Sequence, residues 1–250
     1  MKPPATWVLL RGLMRDSRHW GDFASQFRSQ ISADEPCLLD LPGNGLRYQE
    51  SSPASVAAMA DWVRAELLRQ GLKPPYRVFA MSLGAMVTVD WASRYPQEVE
   101  ICVLVNTSLK PISPFYHRLQ PAAWPLLLRM ALCNPDPRVA EAAVLQLTSR
   151  HLEQTRPVLE QWVAWRRSHP VSRRNALRQL LAAARYAAPN QPPQTRILLL
   201  TSAQDRLVNS LCSQALANVW HCSSAVHPTA GHDLPLDDGA WVVTQIKRWL

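Results

Sequence analysis

The sequence predicts an α/β fold, about six mostly parallel strands flanked by helices, with a helical insertion. Three observations predict it. Short apolar runs recur along the chain, as in strands buried on both faces of a parallel sheet. Amphipathic stretches of helical period separate them. Residues 108–190 break this alternation and read as helix throughout.

The predicted strands are Trp7–Leu10, Cys37–Leu41, Arg77–Met81, Ile101–Asn106, Arg196–Thr201 and Val219–Val226. In Ser55–Gln70 the apolar residues Val56, Met59, Ala60, Val63 and Leu67 share one helical face, and Gly71 follows as a stop. Gly84–Tyr95 and Ala240–Leu250 read as helices in the same way. The insertion is punctuated by Pro111, Pro114, Pro121, Pro125, Pro135, Pro137, Pro157 and Pro170, and it carries Trp124, Trp162 and Trp165. Residues 1–107 and 191–250 are therefore expected to form the core, and 108–190 a helical lid.

A chain of 250 residues with 47% hydrophobic and 18% charged residues can bury a core, which excludes disordered, collagen-like and coiled-coil classes. Met1-Lys2-Pro3-Pro4, then Trp7–Leu10 and Arg11, lacks the length and cleavage site of a signal peptide, and no apolar run reaches membrane-spanning length. Cys37, Cys102, Cys133, Cys212 and Cys222 are isolated and odd in number. They read as buried free thiols of a cytoplasmic protein. The net charge of +8 resides wholly on the lid, where twelve basic residues face four acidic ones. Monomer and dimer are both compatible with the sequence.

Ala80-Met81-Ser82-Leu83-Gly84 lies between a predicted strand and a predicted helix. A serine on such a turn exposes its hydroxyl, and the helix N-terminus behind it favours developing negative charge. Small residues two before and two after it let strand and helix approach. Serine needs a base, and the base an orienting carboxylate. His232 in Gly231-His232 follows the last strand, while His227, the nearest rival, belongs to the strand end. Asp205 lies just past the strand Arg196–Thr201, and no Asp or Glu follows Ile101–Asn106 before the lid. Asp233, Asp237 and Asp238 are expected to cap or flank the terminal helix. Gly43-Asn44-Gly45 has Tyr48 where a dinucleotide loop needs a third glycine, so no cofactor is expected, and no metal.

With these motifs the chain resembles the α/β-hydrolase superfamily over essentially its whole length. Asp40-Leu41-Pro42-Gly43-Asn44-Gly45 resembles that family's Asp-x-Pro-Gly-x-Gly loop, and Arg11-Gly12 with Trp20 resembles its His-Gly…Trp oxyanion segment, Arg11 standing in place of His. The resemblance implies a triad of Ser82, Asp205 and His232, with an oxyanion hole from the backbone N–H groups of Leu13 and Leu83. Serine at this position excludes the dehalogenase and epoxide hydrolase branches, which use aspartate. The lid resembles those of small carboxylesterases, among them pimeloyl-carrier-protein methyl esterases, and of lysophospholipases.

The activity implied is hydrolysis of a carboxylic ester or thioester through an acyl-enzyme. The alternatives are a binding protein that kept the fold and lost turnover, or a peptidase, lyase or haloperoxidase of the same fold. Expected substrate contacts are Arg11, Trp20, Trp124, Arg166, Arg167, Arg173 and Arg174. The arginines suit an anionic substrate or an acidic acyl carrier protein. Nucleic-acid binding is not expected, because Trp162 and Trp165 stand three apart on a helix and are placed to pack the lid onto the core.

Overall fold

The computed structural model describes residues 5–32, 34–133, 135–189 and 191–250, the side chains of 130–133 excepted. Its single sheet has the order β2-β1-β3-β4-β5-β6, every neighbouring pair parallel. The strands are β1 (Thr6–Leu10), β2 (Cys37–Leu39), β3 (Tyr76–Met81), β4 (Val99–Val105), β5 (Arg196–Ser202) and β6 (Ser223–His227). Successive residues of a strand point to opposite faces. Val8, Leu10, Val78, Ala80, Cys102 and Leu104 enter one core, while Trp7, Leu9, Phe79, Met81, Val103 and Val105 enter the other. Continuous apolar runs are thus what a sheet covered on both faces requires.

Helices α1 (Asp22–Gln30) and α11 (Leu234–Trp249) cover the second core. Helices α2 (Val56–Arg69), α3 (Leu83–Arg94) and α10 (Leu211–Trp220) cover the first. Ser55 caps α2 by accepting from the N–H of Ala58, and Gly71 at φ +77° terminates the turn after it. Between β4 and β5 run α4 (Phe115–Arg118), α5 (Trp124–Cys133), α6 (Pro137–Thr148), α7 (Leu152–Thr155), α8 (Leu159–Ser168) and α9 (Arg173–Arg185). The two ends of this segment meet where the N–H of Ala188 donates to the carbonyl of Lys110 at 2.7 Å. None of the described helices is long and apolar enough to cross a membrane.

Two predicted elements are corrected. Val219 and Trp220 belong to α10, because Cys212, Leu216 and Trp220 fall on one buried helical stripe, and β6 starts only at Ser223. The terminal helix starts at Leu234, ahead of the predicted Ala240, with a break in helical geometry at Asp238. Cys102 and Cys212 are buried free thiols, whereas Cys37 and Cys222 are only partly buried; the Cys133 side chain lies outside the described ones.

Candidate active site

The chain turns sharply between β3 and α3, and Ser82 occupies that turn at φ +53°, ψ −115°. A non-glycine residue there is strained and persists only where its surroundings fix it. Its N–H donates to the carbonyl of Val105 at 2.9 Å, and its own carbonyl accepts from Thr107 Oγ1 at 3.2 Å. A Cβ on Gly84 would lie 2.6 Å from the carbonyl oxygens of both Leu10 and Arg11. The crowding that demands glycine therefore comes from the end of β1 rather than from β3 itself. A Cβ on Gly12 would lie 3.0 Å from Ser82 Cβ, so the backbone after β1 passes directly against the serine.

Two other loops at the same edge of the sheet bring together a buried carboxylate and a buried imidazole. His232 Nδ1 donates to Asp205 Oδ2 at 2.7 Å, with side chains 6% and 1% exposed. Asp205 Oδ1 accepts from the N–H groups of Leu207 (2.7 Å) and Val208 (2.9 Å), which fixes the carboxylate plane and leaves the other oxygen for the imidazole. Among the described residues no hydrogen bond joins the Ser82 hydroxyl to His232 Nε2. The ring of His227 is engaged elsewhere. Its Nδ1 accepts from the N–H of Ala230 at 2.9 Å and its Nε2 faces Asp238 at 3.2 Å, so both ring nitrogens are occupied.

Asn106 escaped sequence reasoning, which noticed only that no acid occupied this stretch. It follows β4 at φ +45° and is fully buried. Its Oδ1 accepts from the N–H of Ser202 at 2.8 Å, and its Nδ2 donates to Ser202 Oγ at 3.0 Å and to the carbonyl of His232 at 2.8 Å. One side chain thus joins the end of β5, which leads to Asp205, to the loop of His232, one residue beyond the carbonyl that holds Ser82.

Asp40 accepts from the N–H groups of Ser17 and Leu46 at 2.6 and 3.0 Å. Gly45 needs its positive φ of +51° and its missing side chain, since a Cβ there would lie 2.1 Å from Asp40 Oδ2. Helix α9 docks on this loop. Gln179 Nε2 donates to Asn44 Oδ1 at 2.9 Å, while its Oε1 accepts from the N–H of Met14 at 2.9 Å. Arg15 and Arg166 meet on the buried Glu141 of α6 at 2.7 and 2.9 Å, with Arg15 stacked on Trp162.

The residues expected to contact substrate lie in different environments. Arg11 is only 3% exposed and makes a two-pronged ion pair with Asp233, Nη1 to Oδ1 at 3.1 Å and Nη2 to Oδ2 at 2.6 Å. Asp233, expected to cap or flank the terminal helix, stands at the N-cap position of α11 and makes no cap bond through its side chain. Burial alone would raise its carboxyl, but Arg11, with Arg15 and His232 adding, holds it below the ordinary carboxylate range. Trp20 is a core residue packed on Phe23 and Phe79. Arg166 is committed to Glu141. Trp124 is 43% exposed and donates to the carbonyl of Leu119. Arg167, Arg173 and Arg174 are exposed. Trp162 is buried, with the Arg15 guanidinium over its ring and the His19 ring 5.4 Å away.

An open cleft of about 410 Å³ lies between α5 and α6 beside the Asp205 loop, lined by Gln120, Ala122, Leu126, Ala143, Leu147 and Arg206. Gln120 Nε2 donates to the carbonyl of Asp205 at 2.7 Å. Burial pushes the thiols of Cys37 and Cys102 up to about 11 and about 12, which disfavours the thiolate. Among the described residues no three His, Cys, Asp or Glu side chains cluster as metal ligands.

The model of the Alpha/beta hydrolase family matches residues 7–245. The chain belongs to this family. Within it, the pimeloyl-[acyl-carrier protein] methyl ester esterase of Chromobacterium violaceum is 29% identical over 210 residues, 84% of this chain and 70% of that protein. Among solved structures, the enol-lactonase from Burkholderia xenovorans is similar with a TM-score of 0.79 at 16% identity, over 99% of this chain and 92% of that one. A thermophilic esterase from Thermogutta terrifontis gives 0.76 at 19% identity, over 98% and 89%. The fold of this chain, a six-stranded parallel sheet flanked by helices, is thus similar to theirs over nearly its whole length.

Proposed function

We propose that this alpha/beta hydrolase cleaves a carboxylic ester or thioester with Ser82 as nucleophile, His232 as base and Asp205 as the acid that orients it. The observation that carries the reading is the buried His232–Asp205 hydrogen bond of 2.7 Å, at the same sheet edge as the strained turn that presents Ser82. With Nδ1 held as donor, Nε2 is the lone-pair nitrogen. It takes the proton of Ser82 Oγ as that oxygen bonds to the acyl carbon, and the carbonyl π pair moves onto oxygen. The N–H groups of Leu83 and Leu13 receive that oxyanion. Collapse expels the alkoxide or thiolate, which leaves with the proton from His232. Water then repeats the sequence on the acyl-enzyme and regenerates Ser82.

Residues 108–190 act as the lid, and its cleft between α5 and α6 offers an apolar wall to an acyl chain. The basic surface of this segment, with Arg167, Arg173 and Arg174 exposed, suits an acyl group delivered on an acidic carrier protein. The relative from Chromobacterium violaceum, whose name states such a substrate, supports that choice. A fluorophosphonate probe should label Ser82 of the native chain, with the mass of the adduct read by peptide mapping. Hydrolysis of p-nitrophenyl esters and of acyl-carrier substrates should be lost in step with labelling. An unlabelled Ser82 would instead indicate a binding protein built on this fold.

A further inference from the structure

Position 11 departs from the His of the family's oxyanion segment, and its partner Asp233 directly follows His232. The two residues stand 222 positions apart, yet their side chains are 3% and 4% exposed and aligned fork to fork. The Arg11 guanidinium also lies over the ring of Trp20 at 4.5 Å, so it is held from both sides. Burying an ion pair rarely adds stability over apolar residues of the same volume, which makes this pair an uneconomical way merely to fill the core.

Its surroundings suggest another role. Asp205 meets the imidazole of His232 from across the sheet edge, and Asp233 directly follows His232 on its own loop. Asp233 is approached by Arg11 and Arg15 from the loop after β1. Asp237 is already occupied by Ser149, the N–H of Arg150 and the N–H of Gly231, and the Arg150 side chain packs along Gly231. His19, near Arg11 and Arg15, is engaged with Asp16. Without Arg11, the carboxylate beside His232 would lose its bidentate partner and would favour the imidazolium, which cannot act as base.

We propose that Arg11 is a positioning residue of the catalytic centre: through Asp233 it ties the oxyanion loop to the His232 loop and cancels the charge of the carboxylate that neighbours the base. The proposal rests on the Ser82–Asp205–His232 reading above. It also accounts for the departure at position 11, since an Asp after the base calls for a guanidinium where His would ordinarily stand.

The test is the pH profile of kcat/KM on a neutral p-nitrophenyl ester, run beside an NMR titration of the His232 imidazole, which needs no substrate. Arg11→Gln should move the acid limb and the titration upward, and Asp233→Asn, which leaves the guanidinium uncompensated, should move both downward. The double variant should return both toward the native position. Arg11→Lys, which keeps the charge and loses the fork, should leave the limb in place and lower kcat. A purely structural pair would lower kcat or stability in every variant without opposite shifts, and that outcome overturns the proposal. Should Arg11→Gln fail to fold, Asp233→Asn and the double variant decide the question. Unmoved profiles with normal fluorophosphonate labelling of Ser82 would sink this inference alone, whereas absence of labelling in the native chain would sink the hydrolase reading.

Discussion

Asn106 Nδ2 donates to the main-chain carbonyl of His232 at 2.8 Å, while the carbonyl of the preceding residue, Val105, accepts from the N–H of Ser82. The end of β4 therefore sets the spacing between the turn of Ser82 and the loop of His232. Asn106→Ala would leave the His232 carbonyl and the Ser202 N–H without partners in a buried site, at about 1–3 kcal/mol each. The expected result is a lowered urea midpoint and a kcat/KM reduced about tenfold or more through displaced geometry. Asn106→Asp should be worse, because a carboxylate oxygen would face that carbonyl in place of a donor.

Ser82→Ala and His232→Ala should each lower ester hydrolysis by about 10⁴-fold or more, and to similar extents, because such residues act as a unit. Asp205→Asn should retain more activity, since the acid orients the base without touching the substrate. Treatment with EDTA should leave the native rate unchanged. A rate lost to chelator and restored by zinc would refute this chemistry.

Stability should depend on acid in a direction fixed by Glu141 and Asp233. Burial would raise both carboxyls, but Arg15 and Arg166 hold Glu141 below its ordinary 4.5, and Arg11 holds Asp233 below 3.8. A depressed folded-state value adds stability that is complete above the unfolded value and is lost as pH falls through the folded one. Denaturant midpoints should thus be flat in this respect above about pH 5 and decline below about pH 4. Glu141→Gln should cost about 3 kcal/mol at neutral pH by stranding Arg15, and should make the acid decline shallower. An unchanged acid slope in that variant would refute the assignment.

Capture of an acidic carrier should appear as a salt dependence. For an acyl-carrier substrate, kcat/KM should fall steeply between low and physiological ionic strength, and for a neutral ester of the same acyl chain it should barely change. Charge reversal to Glu at Arg167, Arg173 and Arg174 should reproduce the difference at low salt. Arg166 is left out of that set because it is bound to Glu141. Equal responses of both substrates would mean that the basic surface plays no part in capture.

The elements legible in the sequence were those whose signal is local. Apolar runs marked the strands of the sheet, and the small residues around Ser82 marked the turn. Asp205 and His232 were legible through their order after successive strands. Val219 and Trp220 were misread as strand because their residue types favour it, and the buried stripe of α10 prevailed. The Arg11–Asp233 pair, the Arg166–Glu141 pair and the contacts of Asn106 join distant segments, and nothing in a residue's own neighbourhood encodes its partner across the fold. Trp20 followed the family pattern in sequence, yet its ring completes an aromatic cluster with Phe23 and Phe79.

The loop after β1 takes its shape partly from the helical segment above it, through Met14 on Gln179 and Arg15 on Glu141. That segment is consequently not an interchangeable cassette. A chimaera that grafts a relative's helices in place of 108–190, with every sheet residue retained, would deprive the loop of two anchors and shift the backbone that passes against Ser82. Grafts that also carry Gln at 179 and Glu at 141 should keep that loop in place, so the segment can be exchanged only with those two residues held fixed.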